Sequence, residues 1–325
     1  PGKLALKGDI AAKESNEKFI LFRTSVLSTT FDLKTIYNQM NLVDEKIRIN
    51  KKMLSIFQDI EKIARVHFEV GRVTLQDVLR AQIEQDKLKI EIQNLEDSKN
   101  SLRARWKSTL GLLPDVSDPP FPMKYSKLES DFSSENVLEI ALKLNPKIKM
   151  MENEVKKTDS MLQLAYKSKI PDFAGGLMVD VKPSPFMFRP LFSFTLPIWR
   201  DKIAAEISSA EFGKNAAKAR FTKEQLMLAI EVAEKLFRYR EFGRNLTLIQ
   251  KKLKPKTEKA LEGSVSGYSA GKIDFFNFLS LEKDFLDLLL AEAESGFERE
   301  ILMAEISLLI MGIIPESAEK KIFLN

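Results

Sequence analysis

The stretch FEVGRVTLQDVLRAQ (residues 68–82) decides the fold because it interrupts a very long helical pattern. Neither glycine nor proline occurs between Gly8 and Gly71, and a helix filling most of that span would be roughly 80 Å long, several times the usual length. Glycine takes the left-handed conformation that ends helices, and Thr74 followed by Asp77 is typical of a capping box that begins the next one. The stretch therefore predicts the tip of a helical hairpin.

Apolar residues recur at coiled-coil spacing on both sides of Gly71. The two stripes can pack on each other if the chain reverses at the glycine, so they favour two antiparallel helices. The stripes comprise Met53, Phe57, Ile60 and Ala64 before the glycine, and Leu88, Ile92, Leu95, Leu102 and Trp106 after it.

A second stretch, YSAGKIDFFNFLSLE (residues 268–282), repeats the first at an offset of 200 positions. At an offset of 201, GLLPD (residues 111–115) falls on GIIPE (residues 312–316). Such internal similarity predicts a tandem duplication of a long helical hairpin. Pro255 has no counterpart in the first half and should kink the second long helix. The aligned pairs are Phe68 with Tyr268, Gly71 with Gly271, Arg72 with Lys272, Val73 with Ile273, Thr74 with Asp274, Asp77 with Asn277, Leu79 with Leu279 and Leu88 with Leu288.

The middle of the chain has a different character. The proline-rich segment LLPDVSDPPFP (residues 112–122) predicts a connector. Ser133 should cap a short helix that ends at Asn145, before Pro146, and another helix should run from Lys147 to about residue 169.

The apolar period then changes from 3.6 to 2, which predicts a hairpin of two strands. Each strand is about long enough to cross a bilayer when tilted. One face is expected to meet lipid and the other a wet lumen, although a soluble sandwich would alternate in the same way. Leu177, Val179 and Val181 alternate with polar or less apolar positions in the first strand; the candidate lipid-facing residues of the second are Phe186, Phe188, Phe192 and Phe194, and its candidate lumen-facing residues are Arg189, Ser193 and Thr195.

Two strands alone would leave unpaired backbone groups in lipid, so they must close into a barrel with other strands. The duplication implies a matching strand pair before the first long helix, and we expect that this pair precedes Pro1 in a longer natural chain. Four strands per complete chain would close a barrel in a symmetric oligomer, and a trimer would give twelve strands, an acceptable even number.

Composition excludes several other classes of function. The chain has no cysteine and one histidine, which excludes disulfide scaffolds and Cys/His metal sites. Its net charge of +5 is spread along the sequence, so nucleic acid is not an expected partner. The segment GYSAGK (residues 267–272) lacks the spacing and final Ser or Thr of a phosphate loop. No catalytic residues, cofactor or metal are therefore expected.

These patterns predict a mainly α protein made of long antiparallel helical hairpins in tandem, with a transmembrane β-hairpin between them. The predicted divisions are residues 1–115 for the first repeat with its tip near 68–77, 116–171 for a connector with equatorial helices, 172–198 for the β-hairpin, 199–316 for the second repeat with its tip near 263–277, and 317–325 for a C-terminal tail.

The order of these segments resembles the TolC-like outer-membrane efflux protein family. The segments that carry the resemblance are FEVGRVTLQDVLRAQ with a helix ending WKSTLGL, NVLEIALKLNPKIKMMENEV, KIPDF leading into the strands, FTLPIW leading out of them, and YSAGKIDFFNFLSLEKDFL with a helix ending LLIMG. They span nearly the whole chain. The start, PGKLALKGDIAAKE, resembles the family's exit from its first strand pair, in agreement with a missing N-terminal part.

The resemblance implies a homotrimeric, passive export duct in the outer membrane, whose α-barrel extends into the periplasm of a Gram-negative-type bacterium. It also implies a periplasmic adaptor (membrane fusion) protein and, through it, an inner-membrane pump of a tripartite efflux or type I secretion system. The cargo stays open among metal ions, drugs and proteins. A soluble periplasmic coiled-coil scaffold or adaptor is the alternative; an enzyme is not expected.

By this resemblance the hairpin tips dock the adaptor and gate the tunnel. Gly71, Val73, Gly271 and Ile273 would form the turns and the docking surface. Because Ile273 is not basic, a lock made by a basic residue at that position is not expected. Asp77 and Asn277 either cap helices or face the lumen as a gate, and Tyr268 is expected to pack in the tip. The polar candidates for the gate are Asp77, Tyr268, Lys272, Asp274 and Asn277.

Overall fold

The computed structural model describes residues 2–117, 119, 134–180 and 187–311, and this part of the chain is mainly helical with one pair of strands. The chain divides into two compact units. We call Pro1–Ser25 with Leu138–Ile230 the strand unit, and Val26–Val137 with Glu231–Asn325 the tip unit. The elements are α1 (Lys3–Glu69), α2 (Leu75–Thr109), α3 (Ser134–Leu144), α4 (Pro146–Lys167), β1 (Asp172–Asp180), β2 (Met187–Thr195), α5 (Arg200–Leu248), a π-turn (Ile249–Leu253), α6 (Lys254–Ser269) and α7 (Phe275–Leu309).

Helix α1 begins earlier than the sequence pattern suggests. The sequence pattern places the first long helix between Gly8 and Gly71, but the helix starts at Lys3 and Gly8 lies inside it. The ammonium group of Lys3 donates to the carbonyl oxygen of Ile170 at 2.7 Å and pairs with Asp172 at 2.8 Å. These contacts hold the first turn against the start of β1, which offsets the helix penalty of a glycine, about 1 kcal/mol.

Polar contacts join the helices of the strand unit. The Asn153 amide of α4 donates to the backbone oxygen of Lys13 on α1 at 2.7 Å, and Lys157 pairs with Glu17 at 3.1 Å. On its other side α4 meets α5, where Arg220 pairs with Glu154 at 2.6 Å. Since hydrogen-bonded polar groups fix partners more specifically than apolar packing, these contacts set the register of the three helices.

Local signals place the ends of α4 where the sequence predicts them. The Asn145 side chain accepts from the backbone N–H groups of Lys147 and Ile148 at 2.9 and 3.4 Å, and Pro146 occupies the first turn. This is the usual chemistry of a helix start. The predicted Ser133 cap lies outside the described residues, as do Val181, residues 118 and 120–132 of the connector, and the C-terminal tail.

Strands β1 and β2 form an antiparallel pair that separates two faces. Phe173 lies opposite Phe194, and Val179 opposite Phe188, so these aromatic and branched side chains share one face. Opposite pairs such as Ala174 with Ser193, Met178 with Arg189 and Asp172 with Thr195 share the other. The apolar face is open in the single chain, because Phe192 is 85 % and Phe173 is 80 % exposed.

The tip unit contains two helical hairpins. The first hairpin is the part of α1 after Val26 together with α2, and the second is the end of α5, the π-turn, α6 and α7. Both contribute to one apolar core, and the stripe predicted before Gly71 is fully inside it. The buried members are Met53, Phe57, Ile60, Ala64, Val78, Ala81 and Leu88 from the first hairpin and Tyr268, Phe275, Phe278, Leu279 and Phe285 from the second.

The second hairpin carries a π-turn immediately before Pro255. Proline cannot donate a backbone hydrogen bond, so a wider helical turn is a natural accommodation at this point. The side chains of Gln250 and Lys254 both donate to the Glu292 carboxylate on α7, each at 3.0 Å. One carboxylate thus holds the irregular turn against the neighbouring helix.

None of the helices in the described part of the chain has an apolar stretch of the length and purity that a bilayer crossing requires.

Candidate functional site: the two hairpin tips

The first tip ends α1 with a hydrogen-bonded glycine turn. Gly71 has a φ of 72°; its N–H donates to the oxygen of Phe68 at 2.9 Å, and the N–H of Arg72 donates to that of His67 at 2.8 Å. This pair of bonds satisfies carbonyl groups that a helix end would otherwise leave free. The local sequence therefore fixes where the chain reverses.

The second tip repeats this turn. Gly271 also has a φ of 72°, and its N–H donates to Tyr268 at 3.0 Å while that of Lys272 donates to Gly267 at 2.8 Å. Helices α2 and α7, which follow the two turns, each contain 35 residues. The two tips are alike in backbone.

The two helix starts use their side chains in opposite ways. In the first, the Asp77 carboxylate accepts from the backbone N–H of Thr74 at 3.2 Å. In the second, the Asp274 carboxylate accepts from the backbone N–H and the side-chain amide of Asn277, at 2.9 and 2.6 Å. Each tip thus has one carboxylate near a helix N-terminus, where negative charge is stabilised. Asp77 and Asn277 therefore have capping contacts of their own, and a gating role for them stays a prediction.

Tyr268 joins the two tips. Its ring is buried, stacked on Phe278 with centroids 5.1 Å apart, and in edge contact with Phe275 at 5.7 Å. His67 of the first hairpin lies 5.3 Å from the same ring. The buried hydroxyl has no hydrogen-bond partner among the described residues. Burial, followed by the negative charge of Asp77, raises the pKa of Tyr268 to about 12, so the phenol stays neutral.

Ile273 turns back onto the helix before the tip. A Cβ atom placed on Gly267 would lie 2.6 Å from the Cδ1 atom of Ile273, closer than non-bonded carbon atoms approach. Gly267 therefore makes room for the isoleucine side chain. Ile273 therefore has a packing role at the position where a basic residue could have formed a lock between hairpins. Sequence reasoning treated Gly267 only as part of a rejected phosphate loop.

Further contacts link the hairpins within the first three turns of α2 and α7, and sequence reasoning missed them. The Glu84 carboxylate of α2 pairs with Lys283 of α7 at 3.2 Å. Burial would raise the pKa of Glu84, but its hydrogen bonds to Lys87 and Lys283 outweigh burial and lower that pKa. The guanidinium of Arg80 lies 5.4 Å from the ring centre of Phe276. A groove of about 400 Å³ runs between these contacts.

The remaining predicted residues lie as follows. Lys272, Asp274 and Asn277 are exposed at the second tip, and Val73 is half-buried in the first. Phe188, Phe192 and Phe194 share one face of the strand pair, while Arg189, Ser193 and Thr195 share the other. Phe186 lies outside the described residues. In the part of the chain that the structure describes, no three acidic or histidine side chains come together as a metal site.

Solved structures with the same arrangement are outer-membrane proteins. The outer-membrane channel OprN matches with a TM-score of 0.81 and 17% identity, over 95% of this chain and 72% of its own. The outer-membrane protein VceC from Vibrio cholerae matches with a TM-score of 0.81 and 14% identity, over 96% and 76%. The chain has the fold of TolC-like outer-membrane channels. The MtrE outer-membrane channel of Neisseria gonorrhoeae shares this channel fold, with a TM-score of 0.78 and 14% identity over 98% and 74%.

No protein-family model and no curated protein matches the sequence. The similarity is therefore one of three-dimensional structure. This similarity confirms the predicted fold class at the level of a mainly helical chain with a small two-stranded sheet. The proteins that share the fold are channels rather than enzymes.

Proposed function

We propose that the protein is a subunit of a homotrimeric outer-membrane export channel. Three chains would place six helical hairpins in a ring and contribute their strands to a shared 12-stranded barrel. The tips would dock a periplasmic adaptor, and through it an inner-membrane pump, while the channel itself stays passive. The observation that carries the proposal is the channel fold together with two hairpins that end in the same glycine turn.

Unpartnered apolar stripes on the first hairpin support the ring. Leu79 and Ile90 on α2 are 47 % and 57 % exposed, and Val66 on α1 and Val70 in the turn after it are 57 % and 63 % exposed. The first hairpin already packs against the second hairpin of its own chain. Stripes at helical spacing on its remaining surface fit a second helical hairpin, which a neighbouring copy would supply.

The strand pair supports a lipid environment for the aromatic face. Phe173, Phe188, Phe192 and Phe194 form a continuous exposed apolar surface, and the opposite face carries Arg189 and Ser193. Such a surface in water would be an aggregation hazard, whereas a bilayer would bury it at no such cost. Phe192 and Phe194 would face lipid, and Arg189, Ser193 and Thr195 the lumen.

Single-channel recording tests the proposal. The complete natural protein, purified from outer membranes, should form trimers on chemical cross-linking and conduct ions across planar bilayers. A monomer recovered from the soluble periplasm without conductance would instead support a coiled-coil scaffold.

Matched variants test the ring. Replacing Leu79 and Ile90 with Gln should weaken the trimer, because burying the exposed half of each aliphatic side chain contributes about 0.7–1.5 kcal/mol. Lys89→Gln, beside Ile90, should leave it intact, since the ion pair of Lys89 with Asp86 is exposed. Equal trimer fractions in both variants would argue against this interface.

A further inference from the structure

One acidic residue in the described part of the tip unit is almost fully buried, yet it has no hydrogen-bond or ion-pair partner there. Glu282 lies on α7 and is 5 % exposed. Among the described residues it makes no hydrogen bond or ion pair. Phe278, Leu279 and Phe285 of the same helix belong to the apolar core, and Leu261 of α6 packs against that core. An ionised carboxylate is costly in such surroundings.

The equivalent position of the first hairpin shows what is missing. There Gln82 donates to the Glu61 carboxylate at 3.0 Å, and Glu61 also pairs with Arg65 at 2.6 Å. At an offset of 200, the two positions on the facing helix are Leu261 and Val265. In the first hairpin the carboxyl group, Glu61, lies on the helix before the tip. In the second hairpin the carboxyl group, Glu282, lies on the helix after the tip, and the facing positions on the helix before it are the apolar residues Leu261 and Val265.

Charged groups on the surrounding elements do not compensate for Glu282. Those nearby in sequence or in the packed helices are either exposed or paired elsewhere: Lys259 and Glu262 are exposed on α6, Lys283 and Glu84 pair with each other, Arg80 lies over Phe276, and Glu61 pairs with Arg65. Burial accordingly raises the pKa of Glu282 above its ordinary value of 4.5, and burial is the whole cause.

We propose that Glu282 is a proton-binding site within the second hairpin, whose neutral form fits the core and whose ionised form loosens the packing of the two hairpins. The motivating geometry is the burial of Glu282 among apolar side chains with no partner in the described part of the chain, and its contrast with Gln82, which has one. A neutral carboxyl group has one O–H donor, whereas the glutamine amide has two N–H donors. The two groups are alike in size and in carrying no charge, so glutamine is a permanently uncharged substitute for the protonated form.

The sign of the pH dependence follows from linkage. Because the native pKa of Glu282 is raised, the native state holds its proton at pH values where the unfolded chain has lost it. The stabilisation is complete below the unfolded pKa near 4.5 and is lost as pH rises through the raised native pKa. Between these two pKa values, the contribution of Glu282 to the protection of nearby amides against hydrogen exchange should fall about tenfold for each pH unit.

A functional consequence rests on the proposed channel. The hairpins that Glu282 helps to hold are those whose separation would open the tunnel at its tips. The channel should therefore open less readily in acid than at neutral pH, and Glu282→Gln should keep the acid behaviour at neutral pH.

Hydrogen exchange on the purified full-length protein tests proton binding. Amides of α6 and α7 should be more protected in Glu282→Gln than in the native protein at neutral pH, and the two should converge in acid. Comparison at each pH removes the pH dependence of chemical exchange. Glu262→Gln on the exposed face of α6 should match the native protein throughout. The proposal would be overturned if the ratio of amide protection in the native protein to that in Glu282→Gln did not change with pH.

Infrared difference spectra give a second measurement that does not depend on stability. Native protein minus Glu282→Gln should show the carbonyl band of one protonated carboxyl group, titrating above the ordinary range. A band that titrates with the exposed carboxylates would overturn the site. If the band behaves as expected and bilayers show no conductance, the proton site stands and the channel proposal fails.

Discussion

The first and second hairpins of the tip unit share a backbone design and differ in how their side chains are used. Both end their first helix with a glycine at a φ of 72°, and both continue into a 35-residue helix. The first hairpin has an uninterrupted α1 and exposed aliphatic stripes. The second has a π-turn and an aromatic cluster around Tyr268.

This comparison shows which features both hairpins keep and which differ between them. Reversal of the chain requires a left-handed residue at one point, so the glycine occurs in both tips. The remaining surface can vary if each hairpin packs against different neighbours. Apart from Phe57, the first hairpin contributes aliphatic side chains to the common core, and apart from Leu279, the second contributes aromatic rings.

The largest expected effect comes from the aromatic cluster. Phe278→Ala should lower the free energy of unfolding by about 3–5 kcal/mol, because Phe278 is buried and stacks on Tyr268. Phe276→Ala, two residues away and 61 % exposed, should lose no more than its contact with Arg80, about 0.5–1 kcal/mol. Thermal unfolding followed by circular dichroism distinguishes them. Equal losses would mean that the cluster does not hold the second tip.

The glycine turns should give a smaller effect that is the same in both hairpins. Gly71→Ala and Gly271→Ala should each destabilise the protein by about 1–2 kcal/mol, since a side chain is strained at positive φ. Gly263→Ala is the control. This glycine is inside α6 with open space around it, so alanine should stabilise the helix by up to about 1 kcal/mol. If only one of the two glycine substitutions lowered the free energy of unfolding, the two turns would not be equivalent.

Local signals explain why the tips could be predicted from the sequence and the contacts between them could not. Gly71, Thr74 and Asp77 act through bonds to residues within five positions, so the sequence shows them together. The ring contact of His67 with Tyr268 and the pairing of Glu84 with Lys283 join residues about 200 positions apart. They also connect non-equivalent positions of the two repeats, so the internal alignment does not indicate them.

The same distinction applies to the irregular parts of the fold. Pro255 indicates the place where the second long helix changes, because proline lacks an N–H group. The hydrogen bonds from Gln250 and Lys254 to Glu292 are tertiary contacts that the local pattern does not show. Likewise, α1 begins at Lys3 because of its contacts with Ile170 and Asp172, which are distant in sequence.

Tyr268 allows packing and gating to be separated. Tyr268→Phe removes a buried hydroxyl that has no partner among the described residues, so it should raise the free energy of unfolding by about 1 kcal/mol. Tyr239→Phe should lower it by about 0.5–1.5 kcal/mol, because the Tyr239 hydroxyl accepts from Arg299 at 3.2 Å. Unchanged bilayer conductance in Tyr268→Phe would support a packing role, and a more open channel would show that the hydroxyl helps to close the tip.

The smallest expected change in stability comes from the residues that follow α2 and α7, at the ends of the hairpins away from the tips. Gly111, two residues after the last residue of α2, has a φ of 73°, while the residue 200 positions later, Met311, has a φ of 58°. The next residue, Gly312, lies outside the described part of the chain. A methionine at this angle bears strain that glycine does not, but its half-buried side chain gains some packing. Met311→Gly should therefore raise the free energy of unfolding by less than about 1 kcal/mol, and Gly111→Met should lower it. If both substitutions destabilise the protein, packing of Met311 outweighs its backbone strain, and the two hairpins differ in what ends them.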